Sequence, residues 1–161
     1  MELRVASWNL WGDSCWAERQ LSVERMLARI TPDVLAVQEL SGTSATALDG
    51  MLVSHRRAVP DLVGEPPLNV WFNEDQLLCA DSGSAAIDED HGGRATLWAR
   101  LRIGSGPQTL LVFTTHLTWD DYPDPTVGQA TRDRQARRLA SLIQSVQHAG
   151  EAVVLLADSR R

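Results

Sequence analysis

Basic residues are in the minority in this chain, with 15 Lys and Arg against 21 Asp and Glu and a formal net charge of −6 over 161 residues. That argues against broad, sequence-independent binding of nucleic acid by a basic surface. It does not exclude a nuclease, because a metal can hold a phosphate locally. Cysteine is scarce too. Cys15 and Cys79 are the only two, their separation fits no C-x-x-C metal pair, and without a secretory context a structural disulfide is not expected. No apolar run is long enough to span a membrane and no leader precedes the first strand, so we expect a soluble, cytoplasmic protein. Tyrosine and phenylalanine number one and two against six tryptophans, which points to indoles lining a cleft.

What is present fits one domain with a sizeable core. The stretch Pro32-Asp33-Val34-Leu35-Ala36-Val37-Gln38-Glu39-Leu40 organises the rest. A turn signal opens it, an apolar run too short for a helix follows, and a carboxylate closes it. A glutamate at the mouth of a buried strand is expensive unless paired, and a divalent metal would pair with it. Upstream, residues 3–8 read as a strand ending at Asn9, which is either a turn asparagine or a functional one. Residues 17–30 read as an amphipathic helix, so the first forty residues make a strand–helix–strand unit with parallel pairing.

Downstream, the pattern predicts a short helix over 44–52, capped by Thr43 or Ser44. Residues 53–67 carry no readable signal. Strands are expected at 69–72 and 76–80, then an acidic, glycine-containing loop over 81–93. A hairpin over 95–103 and 109–117 turns at Gly104-Ser105-Gly106-Pro107. Its second strand is apolar on both faces, as an interior strand would be, and ends at His116. A loop over 119–126 leads to a long helix over 127–149 capped by Gly150, then to a buried strand over 152–157 ending at Asp158. Four interior-type strands therefore end in Asn9, Glu39, His116 and Asp158. An amide, two carboxylates and an imidazole on rigid strand ends can serve a hard divalent cation and an anionic substrate.

Ser7-Trp8-Asn9-Leu10-Trp11, Pro32 through Glu39, and Thr115-His116-Leu117 resemble successive motifs of the endonuclease/exonuclease/phosphatase superfamily. Arg132 and Gln135 are similar to its arginine–glutamine pattern, and Leu155-Leu156-Ala157-Asp158 to the start of its Gly-Asp-Phe-Asn motif. The resemblance runs in order to Asp158. It implies an α/β fold, the first half of a four-layer α/β/β/α sandwich, and hydrolysis of a phosphodiester or phosphomonoester by in-line attack of water. By that resemblance Glu39 is the principal ligand of Mg2+ (or Mn2+), and Asn9 binds the metal directly or through water. His116 stabilises charge on the scissile phosphate, and Asp158 orients water or contacts phosphate. Arg94 falls where some members bind the substrate phosphate, against its reading as a surface arginine opening a strand. The resemblance implies a phosphate-ester substrate, whether nucleic acid, phospholipid head group or inositol phosphate, without selecting among them.

The sequence departs from the pattern at Ala157, Arg160 and Asn73, where the family has glycine, asparagine and often arginine. The family's late aspartate–histidine pair has no counterpart before Arg161. We therefore expect an incomplete domain over 1–158 with a tail at 159–161, truncated at its C-terminus and impaired in activity. Loss of a general base typically costs about 10²–10⁴ in rate. The alternative is a non-catalytic remnant that binds metal, phosphate or a protein partner. With its second sheet missing, such a half-fold would self-associate through an uncovered sheet face.

Overall fold

Apolar runs with alternating faces explain most of the architecture. The computed structural model describes residues 2–62, 66–88, 94–118 and 124–158. In chain order these form β1 (Val5–Asn9), α1 (Trp16–Ile30), β2 (Val34–Gln38), α2 (Gly42–Met51), β3 (His55–Arg57) and β4 (Leu68–Asn73). They continue with β5 (Leu77–Ala86), β6 (Ala95–Ile103), β7 (Thr109–His116), α3 (Pro125–Val146) and β8 (Ala152–Asp158). The strands make two four-stranded sheets, one ordered β1-β2-β4-β3 and the other β5-β6-β7-β8. β1 runs parallel to β2 and β7 parallel to β8, while the other pairings are antiparallel.

Every residue of β2 is buried. Its Val34 and Ala36 face the second sheet, where they pack with Val70 and Phe72 of β4, Leu97, Ala99 and Leu101 of β6, and Val112 of β7. Its Leu35 and Val37 face outward, under Trp16, Val23 and Leu27 of α1 and Ala45 and Leu48 of α2. On the far side Leu111 and Phe113 of β7 lie with Leu139 of α3 and Ile87. The period-two alternation of the strands thus divides the apolar residues among three cores and stacks the chain as helix, sheet, sheet, helix.

Both sheets are therefore present within this chain, contrary to the expectation of a missing second sheet. The first sheet covers the inner face of β7, and α3 covers its outer face. The cover is complete on β7 but not on β8, an edge strand whose Leu155 stays 45% exposed.

Other boundaries shift for local reasons. Ser41 caps α2, its side chain bonded to the Ser44 amide and that of Ser44 to the Ser41 amide, so the cap lies upstream of Thr43. Asp124 caps α3 by accepting from the Thr126 and Val127 amides, with Pro125 at the first helical position. That helix ends at Val146, so Gly150 does not cap it. Gly150, at φ 77°, turns the chain into β8 instead. The span 53–67 holds the short strand β3, and Asp81 to Ala86, expected as loop, continues β5 past an irregularity at Cys79/Asp81. Residues 89–93 and 119–123 of the two expected loops, and the tail at 159–161, lie outside the described residues. Both cysteines are free. No helix among the described residues is long and apolar enough to cross a membrane.

Candidate active site

The two parallel pairs sit at the same edge of the sandwich, β1 beside β8 and β2 beside β7 across the interface. Their register aligns Asn9 with Gln38 and His116 with Asp158, so all four C-terminal ends open at one rim. β6 runs antiparallel to β7, and its pairing of Thr96 with Thr115 brings Arg94, just before β6, to the same rim. The structure thus gathers Asn9, Glu39, Arg94, His116 and Asp158, all five candidate residues, from five separate segments.

Asn9 is the hub. Its Nδ2 donates to Glu39 Oε1 at 2.7 Å and to Asp158 Oδ2 at 2.6 Å, so two carboxylates share one amide nitrogen. Its Oδ1 accepts from the Trp11 amide at 2.8 Å, which fixes the orientation of the group. Arg94 Nη1 lies 3.1 Å from His116 Nδ1. A guanidinium can only donate, so Nδ1 accepts and a neutral ring carries its proton on Nε2. That nitrogen lies 3.9 Å from Asp158 Oδ2, and Nδ1 lies 3.7 Å from Glu39 Oε1. The His116 and Asp158 side chains are only 15% and 10% exposed, so these charges act in a partly desolvated setting.

Glu39 has φ 51°, the left-handed region that glutamate rarely adopts, and such strain clusters at functional sites. The loop after β1 wraps it, with the Gly12 amide on the Glu39 carbonyl at 3.0 Å and the Leu10 amide on Gln38 at 2.9 Å. Beneath lies Gln38, 1% exposed. Its Nε2 reaches Ser7 Oγ at 3.1 Å, Thr114 Oγ1 at 2.9 Å and the Leu156 carbonyl at 3.3 Å. One side chain thus ties β1, β7 and β8 to β2 just behind the rim. Nothing local in the sequence points to Gln38 beyond an amide at the end of an apolar strand.

Two carboxylates and an amide suit a hard cation that prefers oxygen. Among the described residues no group of three or more His, Cys, Asp or Glu side chains could hold a metal ion. Mg2+ keeps several waters and uses one or two carboxylates plus substrate phosphate, a demand that Glu39 and Asp158 can meet. A hollow lined by Leu27, Pro32, Met51 and His55 lies at the opposite end of β2, away from this chemistry.

No protein-family model and no curated protein sequence matches the chain. Solved structures do. The chain is similar to a mannosyl-6-phosphatase of Bacteroides thetaiotaomicron at TM-score 0.77 and 17% identity, over 98% of this chain and 65% of that one. It is similar to TDP2 of D. rerio, complexed with a single-stranded DNA product, at TM-score 0.69 and 23% identity, over 95% and 58%. The human Nocturnin catalytic domain with a bound sulfate matches at TM-score 0.72 and 16% identity, over 97% and 64%. The chain spans less than two thirds of the length of each of these three structures. An endonuclease/exonuclease/phosphatase family protein of Bacteroides thetaiotaomicron also matches, at TM-score 0.75 and 17% identity, over 97% and 62%.

Proposed function

We propose, from a fold shared with structures of the endonuclease/exonuclease/phosphatase family, that this rim hydrolyses a phosphate ester with the help of a divalent cation. The observation that carries the reading is the sharing of the Asn9 amide by Glu39 and Asp158 beside the Arg94–His116 pair. The neighbours named above as a mannosyl-6-phosphatase and as TDP2 with a DNA product support a phosphoester as the class of substrate.

Glu39, with Asp158 beside it, would hold Mg2+ or Mn2+. A cation there would supply charge neutralisation for the phosphate oxygens. Asn9 orients both carboxylates through its nitrogen, and its Oδ1, which accepts from the Trp11 amide, keeps a second lone pair for the metal, directly or through water. The His116 Nε2–H is placed to donate to a phosphate oxygen as negative charge builds there, and Arg94 orients that imidazole while adding its own positive charge. Asp158 can accept a hydrogen from the water that attacks phosphorus in line. As the new P–O bond forms, the bond to the leaving oxygen breaks. The alkoxide takes up a proton, and the other product keeps the phosphate. Arrangement on rigid strand ends is what makes such weak groups effective together.

Hydrolysis of bis-p-nitrophenyl phosphate tests the reading. We expect turnover that requires divalent metal, stops with EDTA, and falls by about 10²–10³ in His116→Ala. Robust turnover that resists EDTA would overturn it.

A further inference from the structure

Trp11 is 61% exposed, the one aromatic among the exposed large hydrophobic side chains described. It is also held in place. Its backbone is left-handed at φ 57°, a conformation that bulky residues rarely adopt, and Gly12 follows at φ 55°. The Arg19 guanidinium lies 5.8 Å from the Trp11 ring centroid and 5.7 Å from that of Trp16. Arg19 in turn is fastened to the same loop. Its Nε and Nη2 donate to the Ser14 carbonyl at 2.9 and 2.6 Å, and Nη2 reaches the Gly12 carbonyl at 3.5 Å.

An exposed indole fixed by a strained backbone and a pinned cation gains nothing from core packing. It gains if something stacks on the face that Arg19 does not cover. The place of the indole narrows what that is. The Trp11 backbone amide bonds Asn9, and Asn9 bonds both carboxylates of the rim, so the backbone that carries the indole is tied directly to the phosphate chemistry. A ligand reaching both must carry a flat group a short distance from its phosphate. A nucleotide does so, with one sugar between base and phosphate, and every base offers a π-face whatever its identity. The acidic chain does not suit a long polyanion gripped by its backbone, but it suits one phosphate and one base.

We propose that Trp11 is a stacking platform for the nucleobase adjoining the phosphate ester, so that the substrate is a nucleotide or a nucleic-acid strand end. This rests on the phosphoesterase reading above and narrows its substrate class.

Calorimetry with AMP and ribose 5-phosphate in Mg2+ tests it, using wild type, Trp11→Ala, Trp11→Phe and His116→Ala. The wild type should bind AMP on the order of tenfold more tightly than ribose 5-phosphate. Trp11→Ala should erase that preference while leaving ribose 5-phosphate binding unchanged, and Trp11→Phe should keep most of it. Near-ultraviolet circular dichroism checks that each variant is folded. Equal binding of the two ligands by the wild type, or a preference that survives Trp11→Ala, overturns the proposal. So does a loss of ribose 5-phosphate binding in Trp11→Ala, which would make the indole a sugar platform. A base preference abolished by Trp11→Ala, with phosphate binding unmoved in His116→Ala, would keep the platform and remove the phosphoester reading. An oligonucleotide of six deoxyadenylates separates the two sources. Tighter binding than AMP, still weakened by Trp11→Ala, assigns the strand end; weaker binding assigns the free nucleotide.

Discussion

Gln38 donates from Nε2 to Thr114 Oγ1 across 2.9 Å, and both side chains are buried between the two sheets. Gln38 precedes Glu39 and Thr114 lies two residues before His116, so this bond sets how far apart the two halves of the rim stand. Because the same nitrogen also meets Ser7 and the Leu156 carbonyl, no apolar substitute can satisfy the acceptors it leaves.

Replacing it should therefore be costly twice over. Gln38→Leu keeps similar bulk but strands buried oxygens, and about 1–3 kcal/mol of stability should be lost. Urea denaturation measures that cost. Activity should fall further than stability explains, in kcat more than in KM, because Glu39 and His116 lose their common spacer. A variant with unaltered kcat would show that the rim keeps its geometry without Gln38.

The shared amide of Asn9 gives a prediction about metal. Glu39→Gln should abolish most of the heat of Mg2+ binding in calorimetry, and equal heats for the two proteins would remove Glu39 from that role. Asn9→Asp brings a third carboxylate among two and deletes the donor that joined them. Like charges so close repel, so without metal this variant should melt at a lower temperature than wild type. Added Mg2+ should raise its melting temperature by more than it raises that of wild type, since binding to the folded state stabilises it by mass action. An equal Mg2+ response in both would show that the cation binds elsewhere.

How far the sequence carried these conclusions depended on burial. Val34–Gln38 and Thr109–His116 are apolar on both faces, which only interior strands need, and their polar last residues stood out for that reason. Glu39 and His116 follow from this, whereas Asn9 and Asp158 end β1 and β8, which were expected to be interior and lie at the sheet edges with only partial burial. Arg94 could not be placed, because nothing local tells a surface arginine from one that the β6–β7 register carries to His116. The sheet assignment was hidden as well. β4 and β5 are three residues apart, yet β4 joins the first sheet and β5 the second, a choice made by long-range pairing. β5 itself escaped notice at Asp81 to Ala86 because an edge strand can leave small and polar residues in solvent. Gly83 there lies against the Trp98 ring, where a Cβ would come within 2.8 Å of it, a close approach visible only once the strands are paired.

Gln135 belongs to the same hidden class, singled out by resemblance but without a structural role until its partners are seen. It is fully buried on α3. Its Nε2 donates to Asp88 Oδ2 at 2.9 Å and Thr118 Oγ1 at 2.8 Å, and its Oε1 accepts from the Thr118 amide at 2.9 Å. It therefore joins the end of β5 to the segment just after His116. Gln135→Glu has nearly the same shape but replaces the donor to Asp88 with a second carboxylate. Stability at pH 7 should fall by about 1–3 kcal/mol. It should partly recover on acidification, because a raised carboxyl pKa in the folded state favours folding where the proton is bound. A stability profile parallel to wild type across pH 4–7 would contradict this. Gln135→Met, which adds no charge, should lose stability without the pH dependence.

At the opposite end of the second sheet, pH should act in the other direction. Burial alone pushes the Glu151 carboxyl up, yet it stands at about 2 against an ordinary 4.5. Hydrogen bonds from Arg100 at 2.8 Å, Thr109 at 2.7 Å and the His148 amide at 3.1 Å outweigh the burial. The Glu151 side chain is 1% exposed and that of Arg100 8%, so solvent screens the pair little. Arg100 also donates to the Val146 carbonyl at the end of α3, so this ion pair fastens β6, β7, α3 and β8 together. The folded-state value is depressed, so the stabilisation is complete above the unfolded value of 4.5 and is lost as pH falls toward 2. The shift corresponds to about 3 kcal/mol. Urea denaturation followed from pH 6 down to pH 2 should show that loss in the wild type. In Glu151→Gln the midpoint should start lower at pH 6 and decline less steeply below pH 5, since the group that takes up the proton is gone. An equal decline in both proteins would mean that other carboxylates govern the acid limb and that the Arg100–Glu151 pair contributes little net stability.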